Sequence, residues 1–225
     1  MLGTSLLVAW FGTTRGLWIR FKAKRETRPA DGKKFTLLVA ELEGDEDKKQ
    51  TGHVIAELEK QFPPRGEASL HSIPYPDVLS IGRGERGAAL EAAEKKGRDW
   101  LTKKHGDVLI WGEVADKNKV LRLRFVTPRD GGAAKPYSLN EKLELPVDFG
   151  SDLGAVLAAQ AVTAISPVYD RAGEALAALI APIVAKLKPL AENPPASFPE
   201  ETRAQLWNAY AAGEQRLGEE RGDNV

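Results

Sequence analysis

The chain has 225 residues, 42% of them hydrophobic, which is enough for one domain of ordinary size with a real core and a smaller second element. It contains no cysteine, and this excludes disulfide staples, thiolate metal sites and cysteine nucleophiles and fits a reducing compartment. Thirty-two basic residues balance thirty-two acidic ones, so no overall field draws the protein to nucleic acid or anionic lipid, and no nucleic-acid partner is expected.

Charge is nevertheless uneven along the chain. Residues 1–34 form an apolar leader followed by a basic arm. Leu2 to Thr14 carries no charge, and between Arg15 and Lys34 eight basic residues stand against Glu26 and Asp31. A bilayer span needs about 20 apolar residues, and this run breaks at Arg15 and is interrupted by Gly3, Gly12 and Gly16. It also lacks the order of a cleavable signal peptide. Two readings stay open. In one, residues 1–30 give weak membrane association, with the basic arm on the cytoplasmic side. In the other, they are a leader or a helix packed on another part of a cytoplasmic protein.

From Phe35 the pattern changes. Phe35-Thr36-Leu37-Leu38-Val39-Ala40 has the β-branched and aromatic content of a buried strand. The acidic turn Glu41 to Asp47 leads into a helix marked by Val54, Ile55, Leu58 and Phe62, which Pro63-Pro64 stops. Ser69 to Ile81 reads as one or two short strands, and Pro74 and Pro76 favour an edge position. Ala88 to Lys104 is an amphipathic helix. Asp107 to Val114 and the alternating Val120 to Val126 form an antiparallel hairpin across Asp116 to Lys119. Leu139 to Val147 offers a further strand. The pattern predicts an α/β fold: a small layered sheet with helices and an antiparallel edge hairpin over 35–150.

The remainder reads as an α-helical carboxyl-terminal segment. A helical linker over 151–192 opens at the cap Ser151-Asp152, with breaks expected near Pro167 and Pro182. Asn193-Pro194-Pro195 is a connection, and a last helix covers roughly Glu200 to Glu220, with Leu206, Tyr210, Gly213 and Leu217 at helical spacing and no later segment to pack against.

Two resemblances arise here. His105-Gly106-Asp107-Val108-Leu109-Ile110-Trp111-Gly112-Glu113-Val114, followed by its hairpin, resembles a strand of TolB amino-terminal-like domains, with Leu37 to Asp47 in the corresponding opening position. Such domains also occur ahead of tetratricopeptide (TPR) repeats in bacterial signalling proteins. Ala209 to Asp223 looks like the first helix of such a repeat, making 193–225 the start of a TPR-like region, although Gly213 stands where alanine or leucine is usual. The resemblance implies a non-enzymatic sensor or scaffold module that meets protein partners through a downstream repeat array. Since about three repeats are needed to bury a continuous core, the chain would be the front of a longer protein.

The candidate chemistry is limited. Gly82-Arg83-Gly84-Glu85-Arg86-Gly87 matches G-x-G-x-x-G between a predicted strand and a helix. Gly82, Arg83, Gly84, Arg86 and Gly87 are therefore the candidate nucleotide- or phosphate-ligand site, assisted by the helix amino terminus. Against it, the motif follows the second strand instead of the first, and Glu113 lies farther than the expected acidic partner. Glu41, Glu43, Asp45, Glu46 and Asp47 have the oxygen chemistry of a Mg²⁺ site, but an acidic turn capping a helix is the commoner arrangement. His53, His71 and His105 fit no zinc spacing, and no serine sits in a G-x-S-x-G elbow. No catalytic residue, metal or cofactor is expected. The alternatives to a scaffold are a nucleotide- or phosphate-binding domain and an envelope-associated assembly factor.

Overall fold

The computed structural model describes residues 35–62, 70–81, 86–115, 119–128, 142–165, 173–196, 198 and 200–221. The apolar leader and basic arm, most of the glycine motif, the surroundings of Pro167 and the final Gly222-Asp223 lie outside the described residues. The elements follow in the order β1 (Phe35–Glu41), α1 (Lys49–Gln61), β2 (Leu70–Val78), α2 (Arg86–Lys104), β3 (Val108–Ala115), β4 (Val120–Val126), β5 (Leu143–Pro146), α3 (Ser151–Ile165), α4 (Gly173–Glu192) and α5 (Glu200–Arg221). This is the predicted α/β class with its helical carboxyl-terminal part.

The five strands form one sheet in the order β2-β1-β3-β4-β5. β1 pairs in parallel with β2 and β3, while β3-β4 and β4-β5 are antiparallel. The segment 70–78 is one strand at the sheet edge, the position its two prolines favour. Alternation along β1 separates two cores. Phe35, Leu37 and Val39 face one side with Val54 and Leu58 of α1, and Leu38 and Ala40 face the other with Ala93, Trp100 and Leu101 of α2. The two crossover helices thus cover opposite faces. The β1–β2 register shifts between Ala40 and Glu41, where Pro76 and Asp77 are extra on β2, and Leu42, just past the end of β1, joins the α1 side.

α2 ends in a Schellman turn. His105 is left-handed (φ 52°), its amide donates to the Thr102 carbonyl at 3.4 Å, and the Gly106 amide donates to the Leu101 carbonyl at 2.9 Å. A side chain at Gly106 would stand 2.9 Å from Leu101 Cδ2 and 3.0 Å from Leu38 Cγ, which explains glycine immediately before β3.

α3 lies against the sheet and α1 on the face opposite α2, and α4 and α5 pack on it from outside. Its only ionisable residue is Asp152, and Leu153 through Ala159 are all buried, the signature of a helix enclosed on every side. The break expected near Pro182 does not occur, because α4 runs unbroken through Pro182 and Pro189. Both prolines are exposed, while Leu179, Ile180, Ile183, Val184 and Leu187 are buried, so the lost backbone hydrogen bonds fall on the solvent side and packing of the other face holds the helix. The last helix has a partner after all. α5 folds back along α4 and α3, burying Leu206, Ala209, Gly213 and Leu217, and its apolar residues belong to the same core as Leu37 and Val54.

Candidate functional site

In a sheet ordered 2-1-3, the two crossovers leave β1 on opposite sides, so strand order reverses between β1 and β3, and the crevice beyond their carboxyl ends is where open α/β sheets hold ligands. Here main chain fills that position. The Glu43 amide donates to the Gly112 carbonyl at 2.9 Å, and the Val114 amide donates to the Glu43 carbonyl at 2.8 Å. Gly44 (φ 79°) turns the chain directly above Val114, where an added Cβ would lie 3.3 Å from the Val114 carbonyl oxygen. Gly112 is tighter still. A Cβ there would be 1.9 Å from the Arg122 carbonyl oxygen, so this closure of β1, β3 and β4 requires glycine.

The acidic turn is used up as a helix cap. Asp45 Oδ1 accepts from the Gln50 amide (3.1 Å), and Oδ2 accepts from the Thr51 amide (2.6 Å) and hydroxyl (2.7 Å). Asp47 Oδ1 accepts from the Lys49 amide (3.1 Å), and the Asp45 carbonyl accepts from the Lys48 amide (3.0 Å). All four amides that the start of α1 leaves without helical partners are thereby satisfied. The Thr51 hydroxyl in turn accepts from the Leu42 amide (3.1 Å), locking the end of β1 to the helix. Glu41 pairs with Lys48, and Glu43 accepts from the Ser80 hydroxyl at 2.8 Å. Among the described residues no group of three or more His, Asp or Glu side chains is arranged to hold a metal ion.

Across the neighbouring strands Glu113, Arg122, Glu144 and Lys142 form a ladder of ion pairs, with Arg122 at 3.4 Å from Glu113 and 3.1 Å from Glu144. The Lys142 hydrogen bond is the main cause holding the Glu144 carboxyl below its ordinary range, against burial and with help from Arg122. On the α2 side Trp111 is 1% exposed with its indole N–H unpartnered, near the stacked pair Tyr75 and Trp100 (centroids 4.5 Å apart). Burial first, and the Asp77 charge second, push the Tyr75 hydroxyl above its ordinary range.

Of the glycine-motif residues, Gly82, Arg83 and Gly84 lie outside the described residues, Arg86 opens α2, and Gly87 is exposed on its first turn. His53 Nε2 bonds the Phe149 carbonyl at 2.8 Å with the two rings edge to face, and His105 serves the helix terminus, so both have structural duties.

The outer side of α5 is different in kind. Trp207 is 50% exposed and lies edge-on to Tyr210, ring centroids 6.0 Å apart. Burial, then the Glu214 carboxylate and Glu192, raise the Tyr210 hydroxyl above its ordinary range. The tryptophans are countable in the sequence, but that Trp207, among those described, faces solvent depends on the α4 and α3 surfaces that claim Leu206, Ala209 and Gly213. No family model matches this chain, and no curated protein or solved structure matches it either. Among the described residues, no helix is long and apolar enough to cross a membrane.

Proposed function

We propose that the chain is a non-enzymatic scaffold or sensor module that binds protein through its carboxyl-terminal helices, in the manner of a TolB-like domain leading into TPR-type repeats. The observation that carries this reading is Trp207, half exposed beside Tyr210 on a helix whose other face is sealed into the core. Tryptophan and tyrosine are the residues that most often anchor protein interfaces, and an exposed pair on a rigid helix loses little entropy on binding. The antiparallel pairing of α4 with α5 also supplies the helical-hairpin unit from which such repeats are built. The carboxylates and histidines described above are engaged in caps, ion pairs and helix ends, which favours binding over catalysis.

The reading is tested by affinity capture with the wild-type chain, Trp207→Glu and an exposed α2 control, Lys95→Glu. A specific partner retained by the control and lost with Trp207→Glu supports it, and equal capture by all three overturns it. We place the protein in the cytoplasm, with residues 1–30 giving weak membrane association. Flotation of the full chain and of a chain lacking residues 1–30 on anionic vesicles tests this, and equal flotation of the two rejects it.

A further inference from the structure

α4 and α5 are tightly joined to each other. Gly213 allows such close approach that a Cβ there would lie 2.5 Å from Val184 Cγ2, and Leu187, Leu206 and Leu217 are buried in the same layer. The hairpin is held to the α/β layer differently. It rests mainly on α3, and α4 also reaches α1 through a hydrogen bond. Lys186 of α4 donates to Gln61 Oε1 at 3.0 Å, and Gln61 Nε2 is shared between the Ser151 carbonyl and hydroxyl, each at 3.2 Å.

Beside Gln61 lies Glu57, 4% exposed. One of its carboxylate oxygens meets Lys60, while Oε2 is buried without a hydrogen-bond partner. Gly154 of α3 leaves room there, since its Cβ would stand 3.2 Å from Gln61 Nε2 and 3.4 Å from Glu57 Oε2. A carboxylate oxygen without a hydrogen-bond partner, removed from water, weakens the packing of α1 against α3 around Gly154. In α4, Pro182 and Pro189 also remove two amide donors, so the helix depends on its docking.

We propose that the α4–α5 hairpin is a displaceable cover over α3, tied to α1 by the hydrogen bond between Lys186 and Gln61, that opens as one unit while the sheet stays folded. Proteins open in such cooperative units, and segments that move are those whose docking is least stable.

Native-state hydrogen exchange on the full chain, read by mass spectrometry across a series of low denaturant concentrations, tests the device. In the wild-type protein, peptides from 173–192 and 200–221 exchange together and before those of β1 and β3. Lys186→Ala, which removes the bond to Gln61, speeds hairpin exchange and leaves the strands unchanged. Exchange of hairpin and strands in a single global step, or equal changes in both from Lys186→Ala, overturns the proposal.

Discussion

Replacing Asp45 by alanine tests the role of the acidic turn most directly. The carboxylate accepts from the Gln50 amide and from the amide and hydroxyl of Thr51, and both Asp45 and Thr51 are buried. Losing a side-chain cap costs about 1 kcal/mol. Leaving the buried Thr51 amide without an acceptor adds about 1–3 kcal/mol. The Thr51 hydroxyl also loses the acceptor that orients it toward the Leu42 amide. Asp45→Ala is therefore expected to cost about 2–4 kcal/mol, a large part of the stability of a domain this size. At roughly 2–4 °C per kcal/mol, the melting temperature falls by about 4–16 °C. Asp45→Asn keeps one acceptor oxygen and costs less. Urea unfolding followed by tryptophan emission and by circular dichroism measures both variants, with and without millimolar Mg²⁺. If Asp45→Ala unfolds within about 0.5 kcal/mol of wild type, the spread expected of a plain surface substitution, the cap argument fails. A wild-type midpoint that rises with Mg²⁺, with the rise lost in Asp45→Ala, would show instead that the carboxylates hold a metal.

Three further outcomes are expected. Gly112→Ala forces a Cβ to 1.9 Å from the Arg122 carbonyl oxygen, so it costs more than about 4 kcal/mol or abolishes folding, judged by soluble yield and urea midpoint. Gly213→Ala meets Val184 Cγ2 at 2.5 Å and costs about 1–3 kcal/mol from overpacking; adding Val184→Ala recovers part of the loss, and strictly additive effects in the double-mutant cycle would disprove the contact. The Glu144 carboxyl is held below its ordinary range in the folded protein, so its contribution is complete above the unfolded carboxylate range and is lost as pH falls through the lower folded value. The stability gap between wild type and Glu144→Gln is then expected at pH 7 and should close in strong acid; because this side chain is substantially exposed the gap is small, and an equal gap at both pH values would contradict the assignment.

Periodicity made the sheet legible. β3 and β4 alternate or run apolar for long enough that their pairing follows from a short polar turn, and the two prolines of β2 marked an edge. Where the reading stopped, the deciding partner was distant in sequence. Pro182 looked like a break because local chemistry opposes a helix there, but α3 and α5 supply the packing that overrides it. Leu42 turns to the α1 side just past the end of β1, where strand alternation no longer applies. Lys186 meets Gln61 across 125 residues, and the isolated oxygen of Glu57 exists only once α1 is covered. The acidic turn was legible as either cap or metal site, and Thr51, whose hydroxyl and amide take up the Asp45 carboxylate, carried no signal of its own.

The composition of α3 ties the two halves of the fold together. A helix with one ionisable residue and alanines at close intervals lets neighbours approach on all sides, and here the sheet and α1 take one side while α4 and α5 take the other. Small side chains give each contact little area, so the hydrophobic contribution of α3, at about 25 cal/mol per Å² buried, depends on being covered twice. Segments 151–192 and 193–225, distinct in sequence, therefore share a core with residues 35–150. A surface that needs covering, a cover joined internally by Gly213, and a polar seam at its margin locate adjustable contact in this fold at the boundary between α1 and α4, remote from the carboxyl edge of the sheet, where main chain and caps have occupied the usual ligand position.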